Sequence, residues 1–147
     1  MVRIITFIVL YFVSHVVEGQ SENAVKEETN QINITVTVPN ISGTEGEVIV
    51  ALYNSSESFA KREPLAAKKS KIANGEVSVI FEAVSPGAYA VVCLHDKNEN
   101  ERMDFDSNGM PQEDYGSSNN RMRMGPPNYE DAKFIVENKS LDLKVKF

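Results

Sequence analysis

The sequence predicts an all-β fold: an antiparallel two-layer sandwich, immunoglobulin-like or prealbumin-like, with one long loop of a metal-binding type. Three observations predict it. Short β-branched runs alternate apolar and polar residues, turn signals recur at close intervals, and no stretch has a helical repeat of useful length. Six or seven short strands bury their apolar faces most simply by stacking two sheets.

The chain of 147 residues opens on Arg3, an apolar run from Ile4 to Val17 and the small residue Gly19. That is the layout of a secretory signal peptide over residues 1–19, cleaved after Gly19. Ser14 and His15 interrupt the run short of the ~20 apolar residues a spanning helix needs, which favours a cleaved signal over an uncleaved anchor. A secreted, extracellular or periplasmic location is expected, with no membrane span once the signal is removed. Residues 20–31 are polar and acidic and read as a flexible linker. Residues 32–147 then form one β-sandwich domain.

Ile32, Ile34, Val36 and Val38 alternate with Asn33, Thr35 and Thr37, a strand with one buried face. Glu47–Tyr53 is more continuously apolar and suits a central position. Residues 54–70 read as a long crossing connection with a helical turn, Phe59 and Leu65 pinning it to the core. Asn74-Gly75 is a hairpin signal, because both turn residues need positive φ. A turn at 84–87 leads into a strand over 88–94. Residues 132–136 and 141–147 read as a closing hairpin, with Gly125-Pro126-Pro127 stiffening the approach and Glu130 and Asp131 capping a turn.

The formal net charge is −6, and residues 96–114 hold seven acids against Lys97 and Arg102, five of those six excess charges. Such a local surplus argues against nucleic acid or anionic lipid as partner and suits a cation. Cys93 is the only cysteine, so no internal disulfide forms. Within an apolar run it reads as a small buried hydrophobe.

In the loop after the 88–94 strand, Asp96, Asn98 and Asn100 recur at every second position, followed by Asp104 and Asp106. Calcium takes six to eight oxygen ligands from a loop folded back on itself, and this spacing offers them. Against the helix-loop-helix calcium pattern, the match holds at positions one, three, five and nine. It departs at six, where Glu101 replaces glycine, and at twelve, where Ser107 replaces glutamate. Asp106, the Arg102 carbonyl or Glu113 could supply the remaining oxygens. Like charges about 4 Å apart repel by roughly 1 kcal/mol in water and about 4 at an effective dielectric near 20; a divalent ion turns that cost into attraction. A solvated acidic loop is the competing reading. Zinc lacks its ligands, with His95 alone here and read as a strand-end ring bonded to backbone.

The string HDKNENERMDFDSNGMPQEDYGSSNN, then GPPNYEDAKF, preceded by VALYNSSESF and SPGAYAVVCLHD, resembles an uncharacterised family of exported β-sandwich domains, widespread in bacteria and catalogued as a domain of unknown function. The resemblance covers about residues 44–147. It implies export, a prealbumin-like or immunoglobulin-like sandwich and no established activity, and it carries the loop positions onto Asp96, Asn98, Asn100 and Asp104. Two departures stand out: Glu101 replaces the family's glycine after the third ligand, and Ser117 replaces an aromatic after its Tyr-Gly.

A second candidate surface is the polar segment 113–120. Its asparagines either satisfy turn backbone or form a binding lip, with Tyr115 and Tyr129 as platforms, Asn119 and Asn120 as hydrogen-bonding groups, and Arg121 and Arg123 as anion contacts. Four N-x-Ser/Thr sequons, at Asn33, Asn40, Asn54 and Asn138, read as glycan acceptors in a eukaryotic secretory route and mean nothing in a bacterium. No nucleophile elbow, HExxH or phosphate loop occurs. The expected function is therefore a calcium-stabilised, non-enzymatic binding module for an unidentified extracellular ligand or cell-surface component. A metal-free carbohydrate or peptide binder is the alternative, and a hydrolase using His95 with Asp96 or Glu113 comes third.

Overall fold

A computed structural model describes residues 31–121 and 125–147. The expected signal, nearly all of the linker, and Arg123 lie outside the described residues.

The β-branched alternation produces β1 (Ile34–Val38), with Ile34, Val36 and Val38 buried. β2 (Glu47–Tyr53) follows, then a short helix α1 (Ser56–Lys61), β3 (Ala66–Ser70), β4 (Val77–Phe81) and β5 (Gly87–Asp96). β6 (Tyr115–Ser117) runs into a single 3₁₀ turn; a one-turn helix α2 (Tyr129–Ala132), β7 (Phe134–Val136) and β8 (Leu141–Lys144) complete the chain. One sheet has the order β4-β1-β8; the other runs β3-β2-β5-β6, with β7 also paired to β5.

The two sheets form an all-β sandwich. Val48, Val50 and Leu52 of β2 and Tyr89, Val91 and Cys93 of β5 join Ile34, Val36, Val77, Val79 and Phe81 of the opposite sheet in one core. Fully burying such a side chain stabilises by about 1.5–3 kcal/mol. Cys93 is fully buried, and burial pushes its thiol up to about 12. Among the described residues no helix is long and apolar enough to cross a membrane.

Three expectations change. Residues 66–70 are not connection but β3, paired antiparallel with β2, so β2 is interior. Phe59 does anchor α1, 5.0 Å from Tyr53 and 5.9 Å from Tyr129 between ring centroids, but Leu65 stays 56% exposed. It precedes an edge strand whose own polar pattern gives it no apolar wall to lie on. The last two strands are not a hairpin: β7 pairs with β5, while β8 pairs parallel with β1, so their connection changes sheets. The sandwich is thus mainly, not wholly, antiparallel.

The Asn74-Gly75 turn forms with φ of 54° and 72°, closed by Ala73 and Glu76 donating to each other's carbonyls at 3.0 Å. Its flanks then part, β3 to one sheet and β4 to the other. Turn chemistry fixed the reversal and sheet pairing decided the partners.

Candidate functional site

β5 is the central strand of the larger sheet, and Asp96 is its last residue, fully buried. Gly46 lets the β1–β2 connection cross there: a Cβ on it would lie 2.0 Å from the Asp96 carbonyl oxygen. The Asp96 carboxylate faces the following loop and accepts from the Asn100 N–H at 3.0 Å and the Glu101 N–H at 2.7 Å. That bends the chain back on itself.

The loop side chains meet at Asp104. Its Oδ2 accepts from Asn98 Nδ2 at 2.6 Å and Asn100 Nδ2 at 2.9 Å. Both amide oxygens accept locally, Asn98 Oδ1 from the Asn100 N–H at 3.2 Å and Asn100 Oδ1 from the Arg102 N–H at 3.0 Å. Glu113, 6% exposed, closes the ring: one oxygen accepts from the Lys97 N–H at 2.8 Å, the other from the Asp104 N–H at 3.1 Å. Asp96, Asn98, Asn100, Asp104 and Glu113 therefore share one hydrogen-bonded network.

The other acids of the loop point elsewhere. Glu99 and Glu101 adopt positive φ of 59° and 65° and pair with Lys71 and Lys69, next to and on β3. The turn that prefers glycine at position six is thus made with glutamate, at a backbone cost of about 1–2 kcal/mol. No local signal could reveal these pairs, since the partners lie 28 and 32 residues apart in sequence. Asp106 stands outside the network. Its Oδ1 accepts from the Asn108 and Met110 N–H groups, both at 2.8 Å, and these bonds, Met110 first, hold its carboxyl below the usual range. Among the described residues no three His, Cys, Asp or Glu side chains are grouped as a metal site. At Asp104 the two amides present their N–H groups, while their oxygens are turned to backbone N–H groups.

His95 is fully buried, its Nε2–H donating to the Glu45 carbonyl at 2.9 Å and its ring stacked on Phe147. Its Nδ1 has no hydrogen-bond partner among the described residues and lies 3.8 Å from Asp114, which pairs with Lys97 at 3.1 Å.

The second candidate surface is tied into the fold. Asn119 Nδ2 donates to the carbonyls of Asp131 (3.0 Å) and Lys133 (2.8 Å). Asn120 clamps the last strand, donating to the Lys144 carbonyl and accepting from the Lys146 N–H, both at 2.8 Å. The Ser118 hydroxyl accepts from the Val91 N–H at 2.9 Å and donates to the Ala132 carbonyl at 2.5 Å. Tyr115 and Tyr129 direct their hydroxyls to the Gly125 and Ala88 carbonyls, and Arg121 lies 3.5 Å from Asp131. The cap of α2 is Asn128, accepting from the Asp131 N–H at 2.9 Å; Glu130 and Asp131 occupy the first turn instead. An asparagine side chain accepts there as well as an acid does, and it sits one residue before the helix.

Fold and loop together define an all-β sandwich domain whose central strand ends in a folded Asp/Asn loop. The chain belongs to the family described as "uncharacterized protein conserved in bacteria" (DUF2141), whose model matches residues 36–144. The match begins within β1, at residue 36, and ends with β8 at residue 144. A comparison with curated proteins returned no match.

Proposed function

We propose that this domain is an exported, non-enzymatic binding module stabilised by calcium at the end of its central strand. One observation carries the proposal: Asp96, Asn98, Asn100 and Asp104 meet in a single network closed by Glu113, while Glu99 and Glu101 turn away to lysines. A loop that was only solvated would leave all its acids in water. Here Asp96 and Glu113 are buried, and burying carboxylates is costly unless they are paired or ligating.

In this reading Asp96, Asp104 and Glu113 supply charged oxygens. Asn98 and Asn100 supply neutral ones after a half-turn about Cβ–Cγ, which exchanges each amide nitrogen for its oxygen. The ion replaces the two amide N–H groups that hydrogen-bond Asp104. Asp106, engaged in its own turn, is left out of the set. Extracellular modules bind calcium with dissociation constants of about 10⁻⁴ to 10⁻³ M, and ion at 100 times that value adds about 2.7 kcal/mol to stability.

The test is thermal unfolding with calcium and with chelator. Calcium is expected to raise Tm by several degrees in the wild-type domain and in Asp106→Ala, and to have no effect in Asp104→Ala. Superimposable wild-type curves with and without calcium would overturn the proposal.

A further inference from the structure

We propose that the cleft between the free edges of the two sheets binds a straight-chain aliphatic carboxylate, its tail over Leu52 and Phe81 and its carboxylate at Lys68. β3 ends one sheet and β4 ends the other, and the two edges face each other. The register of β3 on β2 sets Ala66 opposite Leu52, Lys68 opposite Val50 and Ser70 opposite Val48. Those β2 side chains belong to the core. Directly opposed residues share a face, so β3 turns Ala66, Lys68 and Ser70 inward. No bulky apolar side chain of β3 closes the sandwich on this side. What is left is an open cleft of about 410 Å³, lined by the core residues Leu52, Phe81 and Tyr89 and by Leu65 and Val84. Small-molecule sites typically have volumes of about 300–1,000 Å³ and mostly apolar linings.

Two features select the ligand. Leu65 keeps more than half of its surface in water at this cleft, and an aliphatic tail would cover it. Lys69 and Lys71 are both taken by loop acids. Lys68 instead holds its ammonium 5.8 Å from the centre of the Phe81 ring and pairs with no carboxylate among the described residues. An inward lysine also deters an edge strand from pairing with another chain. That accounts for the charge, but not for Leu65 or the apolar floor. Glu82 lines the cleft as well, exposed and without an ion-pair partner among the described residues. It steers an anion towards β3 and disfavours a second carboxylate on the ligand.

The cleft contains no residue of the 96–114 loop. The proposal gives the binding-module reading a ligand class, and it rests on no part of the calcium site.

The experiment titrates the purified full chain with decanoate, decanol and decylamine, each below its micelle-forming concentration. Chelator is present throughout, so failure of the calcium reading leaves the outcome untouched. Calorimetry gives affinity, and backbone amide shifts in nuclear magnetic resonance give the place of binding. The expected result is saturable binding of one decanoate, shifts at Leu52, Leu65, Phe81 and Tyr89, and weaker binding of decanol and decylamine. Lys68→Gln is expected to weaken decanoate about two- to fivefold and to leave decanol unchanged. Leu65→Ala, outside the core, is expected to weaken all three by roughly three- to tenfold. The wild-type shifts and the order of the three ligands decide the matter even if a variant fails to fold. Absence of saturable decanoate binding, shifts confined to another part of the chain, or decanol binding as tightly as decanoate overturns the proposal. So does a folded Lys68→Gln or Leu65→Ala protein that binds decanoate as the wild type does.

Discussion

Glu101 holds φ 65° in a turn where most side chains are strained; its N–H donates to Asp96, as a glycine's would, and its side chain adds an exposed pair with Lys69. Surface pairs contribute about 0–1 kcal/mol, whereas the left-handed backbone costs a non-glycine residue about 1–2. Glu101→Gly is therefore expected to stabilise the domain by about 0.5–1 kcal/mol in chemical denaturation, after the unfolded-state entropy of glycine is subtracted. A loss of stability would show that the lysine pair dominates. Cys93 illustrates burial acting alone: desolvation moves its thiol from 9.0 to about 12. For an acid raised in this way, folding favours the protonated form. The contribution is complete below about pH 9 and is lost as pH climbs towards 12, at up to about 1.4 kcal/mol per pH unit. The stability difference between wild type and Cys93→Ala should accordingly shrink with pH above 9. A thiol reagent should leave the native protein unlabelled at pH 8; fast labelling there would contradict the buried placement.

At the scale of elements, the asparagines after β6 act as staples between strands distant in sequence. Asn120 supplies both a donor and an acceptor to the backbone at 144 and 146, doing for the end of β8 what a further paired strand would do. A net hydrogen bond is worth about 0.5–1.5 kcal/mol, so Asn120→Ala is expected to cost about 1–2 kcal/mol. A substitution that leaves Tm unchanged would argue that the side chain is free for another role. Gly116 belongs to the same junction: a Cβ there would sit 2.1 Å from the Lys146 carbonyl oxygen. The Tyr-Gly-Ser-Ser-Asn-Asn segment bonds to the backbone of both β5 and the last strand, through Ser118 and Asn120.

For the molecule as a whole, stability resides between the sheets rather than in the connections over them. Leu52 lies in that core at 1% exposure, while Leu65 is 56% exposed. Leu52→Ala is expected to cost about 2–5 kcal/mol, and Leu65→Ala at most about 0.5. Equal costs would mean that the long connection is part of the core after all. The loop at the end of β5 is attached to this body at both ends, by Asp96 within the sheet and by Glu113 just before β6. An ion bound there would raise the stability of the whole cooperative unit rather than of a loose appendage.

Periodicity, turn chemistry and charge were enough to establish a β-sandwich, its alternating core face on β1, the Asn-Gly reversal and the oxygen-rich loop after β5, because each depends on neighbours within a few residues. The sheet assignment of β3, the parallel course of β8 beside β1, and the division of the acids into an inward set and a lysine-paired set were decided only in three dimensions. Those features rest on contacts between residues tens of positions apart. Local sequence states what a segment can pair with, and only the closing of the core selects which partner it receives.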